Sequence, residues 1–315
     1  MSDTLKLIAQ GVSLYPIADL HLGAEANEQA LTRSGELTTM EFTPEVPQET
    51  APRITIFGDA GMGKTSFAAS FPKPIVIRAE DGLQSIPAES RPHALPLLTL
   101  PIDKATKKST GMPPIIDQLR WLASAEHDYQ TVIIDSITKL EAMYITRVVD
   151  ASQEDNANVK SINQAGGGYG AGREEVVAQH RMVKEMCDFL AKKRGMTVVF
   201  IAHADVKRID PPDSQSYTRY DLRLHDKSLP PYIDDVDIVG FIRMETYVKT
   251  DKADSQRRKA VSDGTRELVC YAQAANVSKN RYNINQPLVI PFDKETGTVT
   301  ANPLLQLIPF YQTGA

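Results

Sequence analysis

The sequence has few of the features that mark secreted, membrane-bound or strongly basic proteins. Its 315 residues include two cysteines, Cys187 and Cys270, and carry a formal net charge of −5. Both cysteines lie in apolar runs, which predicts reduced residues in a core. No run of about 18 apolar residues and no apolar N-terminal segment occurs, so we expect a cytoplasmic protein without a membrane partner. The negative charge excludes a global attraction to nucleic acid but leaves local basic loops open.

The sequence also lacks internal repeats, a metal-ligand cluster and a Ser/His/Asp arrangement. Its hydrophobic content of 42% is ample for a sizeable core in one large or two ordinary domains. Residues 1–52 are weakly apolar, then polar and rich in proline, which predicts a partly disordered arm or linker. We therefore assign the main domain to residues 53–292 and a short tail to residues 293–315.

The most informative stretch runs from Gly58 to Thr65 and fits the pattern G-x-x-x-x-G-K-[ST]. An apolar run, Ile54–Phe57, precedes it and a helix-compatible run follows it, as a phosphate-binding loop requires. A glycine-rich turn with a chance Gly-Lys-Thr is the alternative. Glycines let backbone N–H groups turn toward an anion, and the next helix presents its positive end. The predicted ATP-binding residues are Gly58, Asp59, Ala60, Gly61, Met62, Gly63, Lys64, Thr65 and Ser66.

Lys64 is expected to reach the β- and γ-phosphates, and the Thr65 hydroxyl to bind Mg²⁺. A second Mg²⁺ ligand follows the β-branched run Thr131–Ile134, which reads as a buried parallel strand ending in Asp135. Such an acid at the carboxyl end of a strand is typical of a Walker B aspartate, bound to Mg²⁺ directly or through water.

Two further strand ends carry candidate catalytic groups. The run Pro74–Arg78 is followed by Glu80, which is well placed to orient an attacking water, although a surface turn carrying two acids is the alternative. The run Thr197–Ala202 ends at His203, a candidate sensor of the γ-phosphate or an ordinary strand-end histidine. Ligands in open α/β sheets lie beyond the carboxyl ends of the strands, where these residues belong.

Helical spacing of apolar residues predicts helices over 115–122, 138–149 and 173–194. Two segments lack such periodicity, one after the helix that follows Asp135 and one after His203. Residues 151–172 read as a flexible glycine-rich loop, and residues 205–235 as a long irregular loop. Basic and aromatic residues in them suit backbone neutralisation and base stacking, although solvated loops are a serious competitor. The candidate single-strand contacts are Lys160, Tyr169, Lys207, Arg208, Arg219 and Arg223.

The last third of the chain predicts antiparallel strands over 238–248, 267–272 and 288–292. Between the second and third of them, Lys279 and Arg281 project to the same side of an extended segment. They are candidates to cross a subunit interface and touch a neighbour's γ-phosphate, as arginine fingers do. A surface Lys-x-Arg pair is the alternative.

In this order the motifs resemble the core of RecA-like ATPases: the phosphate loop, Arg78-Ala79-Glu80, Asp135-Ser136 and the strand ending at His203. The resemblance implies an α/β fold with a mostly parallel central sheet, and a catalytic glutamate at Glu80. RecA-like proteins usually carry Gln at the sensor position, so His203 is a departure. Their two DNA-binding loops correspond to residues 151–172 and 204–232.

Lys279-Asn280-Arg281 resembles the Lys-x-Arg of DnaB-type helicases, which reaches the adjacent subunit's nucleotide. The single-domain length, the glycine-tyrosine segment near Tyr169 and the Ile-Ala-His strand are most similar to phage RecA-like nucleotide-binding proteins. Some members of that group act in single-strand annealing and recombination, and the resemblance would place the protein in a host cytoplasm. The resemblance implies ATP and Mg²⁺ as cofactors, a homo-oligomeric ring or filament, single-stranded DNA, and a recombination or replication protein partner.

Four functions are therefore open. The first is a DNA-binding ATPase of recombination, annealing or repair, and the second is a helicase-like motor. The third is an ATP-gated protein-interaction switch that binds no DNA. The fourth is a small-molecule kinase, which a water-orienting glutamate disfavours and which would need an arginine-rich lid that Arg257-Arg258-Lys259, in a hairpin tip, supplies poorly.

Overall fold

The computed structural model describes residue 44 and residues 49–245, 247–250, 258–261, 264–293 and 295–312, with backbone alone for 247–250 and 258–261. The predicted arm therefore lies outside the described residues except for residue 44 and residues 49–52. Ala51 is buried, and the Pro52 carbonyl accepts a hydrogen bond from the Val198 N–H. The last residues before the main domain thus already belong to its sheet and core.

The secondary structure alternates strands and helices in the first two thirds of the chain. The strands are β1 (Arg53–Gly58), β2 (Pro74–Arg78), β3 (His93–Ala94), β4 (Thr131–Asp135), β5 (Thr197–Ile209), β6 (Tyr217–Leu222), β7 (Ile238–Met244), β8 (Tyr247–Thr250), β9 (Arg258–Val261), β10 (Arg266–Val269), β11 (Lys279–Asn280) and β12 (Leu288–Ile290). The helices are α1 (Lys64–Ala69), α2 (Ile115–Ser124), α3 (Ile137–Asp155), α4 (Ala171–Arg194), α5 (Pro230–Ile233) and α6 (Leu304–Leu307).

The main sheet has the strand order β12-β10-β7-β1-β5-β4-β2-β3. Strands β1 to β5 and β7 pair in parallel, whereas β10 and β12 add to it antiparallel. Outside this path, β11 pairs with β7 and β6 with β5, both antiparallel, while β8 and β9 form a separate hairpin. The α/β fold with a mostly parallel central sheet and antiparallel C-terminal strands, predicted from the sequence, is confirmed.

The sheet is buried on both faces because its strands are apolar at successive positions. In β4, Val132 and Ile134 pack in the core beneath α2, α3 and α4, whereas Ile133 packs on the opposite face with α1 and α6. Side chains of a strand alternate between faces, so a continuous apolar run is what a two-sided core requires. Within the described residues, no helix has the length and apolar character needed to cross a membrane.

The predicted crossover helices are confirmed, with longer bounds. Helix α3 begins directly after Ser136, whose hydroxyl accepts a hydrogen bond from the Lys139 N–H as an N-cap. Helix α4 ends at Arg194 with basic residues in its last turn, and Gly195 follows with φ 62°. Glycine adopts this left-handed conformation without strain, which explains why the helix ends there. Cys187 in α4 and Cys270 are both buried and unpaired, as expected.

The prediction of an irregular loop over 205–235 is wrong. Strand β5 continues to Ile209 beyond the edge of the parallel sheet and pairs antiparallel with β6, from Ala204 opposite Leu222 to Ile209 opposite Tyr217. The short helix α5 then follows. This hairpin projects from the sheet, so its strands need no apolar alternation, and that removes the signal on which the sequence prediction depended.

Residues 151–172 also contain more regular structure than predicted. Helix α3 continues to Asp155, a 3-10 turn spans Ala165–Gly167, and α4 begins at Ala171.

At the other end of the chain, part of the segment assigned to a tail packs against the sheet. Leu304 and Ile308 are fully buried in the same core as α1.

Candidate active site

The phosphate loop joins β1 to α1 at the carboxyl edge of the sheet. Gly61 and Gly63 have φ of 79° and 80°, a conformation that side chains rarely adopt. A Cβ at Gly63 would lie 2.6 Å from the Phe292 ring and 2.9 Å from an Arg266 nitrogen. Both the backbone conformation and the close packing of this loop therefore favour glycine, as expected for a loop that binds phosphate.

Lys64 is the buried cation of this loop, with 7% of its surface exposed. Its ammonium donates hydrogen bonds to the carbonyls of Gly58 (2.9 Å) and Asp59 (2.8 Å). Burial lowers the pKa of Lys64, while the nearby charges of Asp135 and Glu80 raise it. Those two carboxylates thus stabilise the positive charge of Lys64 at the point where the loop would hold the β- and γ-phosphates.

The two predicted Mg²⁺ ligands are in contact. The Thr65 hydroxyl donates a 2.7 Å hydrogen bond to Asp135 Oδ2. Asp135 is 6% exposed, and burial, assisted by the charge of Glu80, raises its pKa to about 6. A hydroxyl beside a buried carboxylate is the oxygen donor set that Mg²⁺ takes together with nucleotide phosphates, so these residues fit the ion.

Glu80 lies next to Asp135 because β2 and β4 are parallel neighbours with Arg78 opposite Asp135. The Ala79 N–H also donates to the Asp135 carbonyl at 2.7 Å, which fixes the turn that carries Glu80. Glu80 Oε1 accepts a hydrogen bond from the Ser136 hydroxyl and faces His203 Nε2 at 3.2 Å. The hydrogen bond with His203 lowers the pKa of Glu80, and the hydrogen bond from Ser136 lowers it further. Burial acts in the opposite direction but does not outweigh them.

His203 belongs to the same cluster. It lies opposite Gly58 in the pairing of β1 with β5, and its N–H donates to the Thr138 hydroxyl at 3.0 Å. Its imidazole touches the candidate base Glu80, while its main chain begins the β5–β6 hairpin. This position suits a residue that senses the γ-phosphate and connects hydrolysis to the hairpin. That role stays a prediction.

The cluster thus unites side chains from four separate parts of the chain at one edge of the sheet. An ionised carboxylate, Glu80, lies beside a buried ammonium and a hydroxyl–carboxylate pair. Chemically, such a set can bind a magnesium nucleotide and take a proton from water. Within the described ranges, no group of three or more His, Cys, Asp or Glu residues forms a separate metal site.

Lys279 and Arg281 lie at the other end of the sheet. Strand β11 places Lys279 opposite Val239, near the start of β7, whereas the phosphate loop follows the end of β1. Lys279 Nζ donates to the Asp234 carbonyl at 2.7 Å, and Arg281 pairs with Asp237 at 3.0 Å. These cations are therefore not brought to the nucleotide site of their own chain.

The structure divides the candidate single-strand contacts between two places. Lys160 and Tyr169 are exposed in the segment between α3 and α4, and Tyr169 has a φ of 51°. The others belong to the β5–β6 hairpin or its end, where most of them pair with acids. Those candidates are Lys207, Arg208, Arg219 and Arg223.

Sequence reasoning missed three residues of the site. Ser136 was taken only as part of the Asp-Ser signature, yet it holds Glu80 and caps α3. Arg266 and Phe292 form a wall behind Gly63, with the guanidinium 4.1 Å from the centre of the ring. Their distance along the chain from the loop hid this contact, since nothing in the local pattern of β10 or β12 indicates it.

Comparisons with known proteins identify a family and several similar chains. A family model described as an AAA domain, AAA_24, matches residues 50–282. The chain is similar to the SPbeta prophage-derived uncharacterized protein YorG of Bacillus subtilis (strain 168), with 28% identity over 189 residues. This match covers 60% of the chain and 50% of the relative, so the chain spans about half the length of the curated relative it matches.

Two solved structures resemble the chain over most of its length. The crystal structure of the RadB recombinase has a TM-score of 0.42 and 12% identity, covering 80% of this chain and 93% of that one. The flagellar accessory protein FlaH from Methanocaldococcus jannaschii has a TM-score of 0.38 and 12% identity, covering 79% and 89%. Neither likeness says what this chain binds.

Replacing Gly63 by alanine should abolish tight nucleotide binding. The new Cβ would be strained by the φ of 80° and would lie 2.6 Å from the Phe292 ring, so the loop or these neighbouring side chains must shift. We expect the Kd for ATP with Mg²⁺ to rise about tenfold or more, measured by calorimetry. Gly82→Ala is the control, since a Cβ there meets nothing within 4 Å. Equal affinities for the two variants would contradict the packing argument.

Asp135→Asn should stabilise the protein at neutral pH in the absence of Mg²⁺. Burial raises the pKa of Asp135 from 3.8 to about 6, so the folded state favours the protonated carboxyl. Its ionisation therefore destabilises the fold as the pH rises through this window, by up to about 3 kcal/mol above pH 6. Asparagine cannot ionise and escapes this loss.

Urea unfolding with a chelator tests this at pH 4 and pH 7. The difference in unfolding free energy between Asp135→Asn and the wild type should favour the variant only at the higher pH. Asp213→Asn, at an exposed acid of the hairpin, serves as the control and should show no such change. A difference independent of pH would show that ionisation of Asp135 is not the cause.

Proposed function

The chain belongs to the AAA_24 family of AAA domains, and on that premise we propose that it is a Mg²⁺-dependent ATPase that binds single-stranded DNA. We propose that it acts in recombination, annealing or repair as a ring or filament with ATP at its subunit interfaces. The observation that carries the ATPase part is the contact of Glu80 with His203 and Ser136 beside the Thr65–Asp135 pair.

In the proposed reaction, the Glu80 carboxylate accepts a proton from a water molecule as the water oxygen forms a bond to the γ-phosphorus. The bond between that phosphorus and the β–γ bridging oxygen breaks, and ADP leaves with the electron pair. Lys64 stabilises the negative charge that develops on the phosphates. Mg²⁺, held by Thr65 and Asp135, would supply further electrostatic stabilisation when bound.

The hydrogen bond with His203 supports ionised Glu80 as the base, since it lowers the pKa of Glu80. A carboxylate that stays ionised near neutral pH is ready to take a proton without first losing its own. Ser136 and His203 also restrict the position of the carboxylate. A kinase would have to exclude water from this same place, so the arrangement favours hydrolysis over transfer to a small molecule.

The DNA part of the proposal rests on the β5–β6 hairpin and the segment between α3 and α4. Tyr217, Tyr220 and Val206 of the hairpin are 36%, 37% and 57% exposed, and Tyr169 projects fully into solvent. Exposed aromatic rings among cations suit base stacking and phosphate neutralisation on a single strand. Because β5 runs from His203 into the hairpin, nucleotide state and strand binding would be linked through one strand.

The oligomer part is supported by the position of Lys279 and Arg281. Both are distant from their own phosphate loop, so a nucleotide contact would require a neighbouring subunit. Arg281 is 56% exposed despite its pairing with Asp237, and it is therefore accessible to such a neighbour. The prophage-derived name of the curated relative supports a phage setting, and hence a host cytoplasm with a recombination or replication partner.

An ATP-gated protein switch without DNA binding is the second candidate. The observation that favours it is the neutralisation of Lys207, Arg208 and Arg219 by neighbouring acids in the hairpin. A strand of DNA would have to compete with those ion pairs. A helicase-like motor is a variant of the first candidate, and directional movement on DNA would distinguish it.

ATP hydrolysis should be stimulated by single-stranded DNA, and the stimulation should decline with salt because phosphate contacts release counterions. Steady-state release of phosphate, measured with and without an oligonucleotide from low to high salt, tests this. Lys64→Ala should remove both basal and stimulated hydrolysis, since it deletes the cation of the phosphate loop.

Hydrolysis that is indifferent to DNA at every salt concentration would contradict the DNA-binding proposal and favour the protein switch. A phosphorylated acceptor in place of free phosphate would instead indicate a kinase. Lys64→Ala with wild-type hydrolysis would contradict the site itself.

A further inference from the structure

The cations of the β5–β6 hairpin differ in their surroundings. Three of the candidate DNA contacts there are paired with a carboxylate, which reduces their attraction for an added anion. Arg223, directly after β6, is exposed, and in the described part of the chain its guanidinium has no hydrogen bond or ion pair. The pairs are Lys207 with Asp226 at 2.7 Å, Arg208 with Asp210 at 2.9 Å and Arg219 with Asp221 at 3.1 Å.

The backbone fixes Arg223 beside the catalytic cluster. Its N–H donates a 2.8 Å hydrogen bond to the carbonyl of His203, and Leu222 and Leu224 on either side of it are buried. His203 lies opposite Gly58 of the phosphate loop, and its imidazole contacts Glu80. The backbone of Arg223 thus lies beside the cluster that contains His203 and the candidate base Glu80.

Electrostatics supports the same placement. Arg223 is close enough to Lys64, the buried cation of the phosphate loop, for the two positive charges to interact. Two like charges near one loop repel each other, and a polyanion between them converts the repulsion into attraction. A guanidinium is well suited to this because its planar fork binds phosphate oxygens in pairs.

We propose that Arg223 contacts the γ-phosphate of ATP in the same chain and is not a DNA contact. The His203 carbonyl holds its backbone, and its free guanidinium reaches the phosphate beside Lys64. Arg223 would then report the presence of the γ-phosphate to the hairpin, whose β6 strand it follows directly. This inference rests on the proposed ATP binding, but it does not depend on the proposed DNA binding.

The test compares Kd values of a non-hydrolysable ATP analogue and of ADP, both with Mg²⁺, for the wild type and Arg223→Ala. Loss of one charge-assisted contact should weaken the analogue about tenfold or more and leave ADP within about twofold. Lys227→Ala, an exposed cation four residues further along the chain that pairs with Glu174, is the control and should change neither value. Arg223→Lys should recover part of the preference for the analogue, since it keeps the charge but not the fork.

Several results would overturn the proposal. Equal weakening of the analogue and ADP would place the contact elsewhere on the nucleotide. Unchanged Kd values for both would show that Arg223 does not contact the nucleotide. The same loss in Lys227→Ala would indicate a general effect of positive charge in this part of the chain. Weaker binding of a fluorescent single-stranded oligonucleotide by Arg223→Ala, with nucleotide affinities unchanged, would make Arg223 a DNA contact. Failure of the wild type to bind the analogue would instead contradict the proposed ATP binding itself.

Discussion

The parallel pairing of β1, β5, β4 and β2 is the constraint on which the site depends. Parallel neighbours end at the same edge of a sheet, and the observed register sets Gly58 beside His203 and Arg78 beside Asp135. The groups that would bind phosphate, Mg²⁺ and water therefore lie close together, although they belong to segments far apart in the sequence. A slip of one residue in any of these strands would turn its terminal side chain to the other face.

Within that frame, the interaction of Glu80 with Ser136 and His203 links chemistry to the rest of the molecule. Ser136 also caps α3, and His203 opens the β5–β6 hairpin, so the candidate base is tied to two elements that lie outside the phosphate loop. A change in charge at the nucleotide would reach both elements through one carboxylate. This is the physical basis for the proposed coupling between nucleotide state and the hairpin.

The sequence alone predicted the strand, loop and helix around Gly58–Thr65 and the buried strand that ends in Asp135, because fixed spacing and β-branched runs leave strong local patterns. Glu80 was ambiguous, since a strand end with two acids has the same pattern as a surface turn. The hairpin was missed because antiparallel pairing outside the sheet needs no apolar alternation. Arg266 and Phe292 could not be predicted, since only the antiparallel addition of β10 and β12 brings them to Gly63.

The most direct test of the account is single-turnover hydrolysis of saturating ATP by Glu80→Gln, with ATP affinity measured in parallel. If Glu80 is the base, the rate should fall about 10²–10⁴-fold while the Kd changes little. Asp81→Asn is the matched control, since the neighbouring acid is exposed and pairs with Arg78. A Glu80→Gln protein that hydrolyses ATP at the wild-type rate would contradict the central claim.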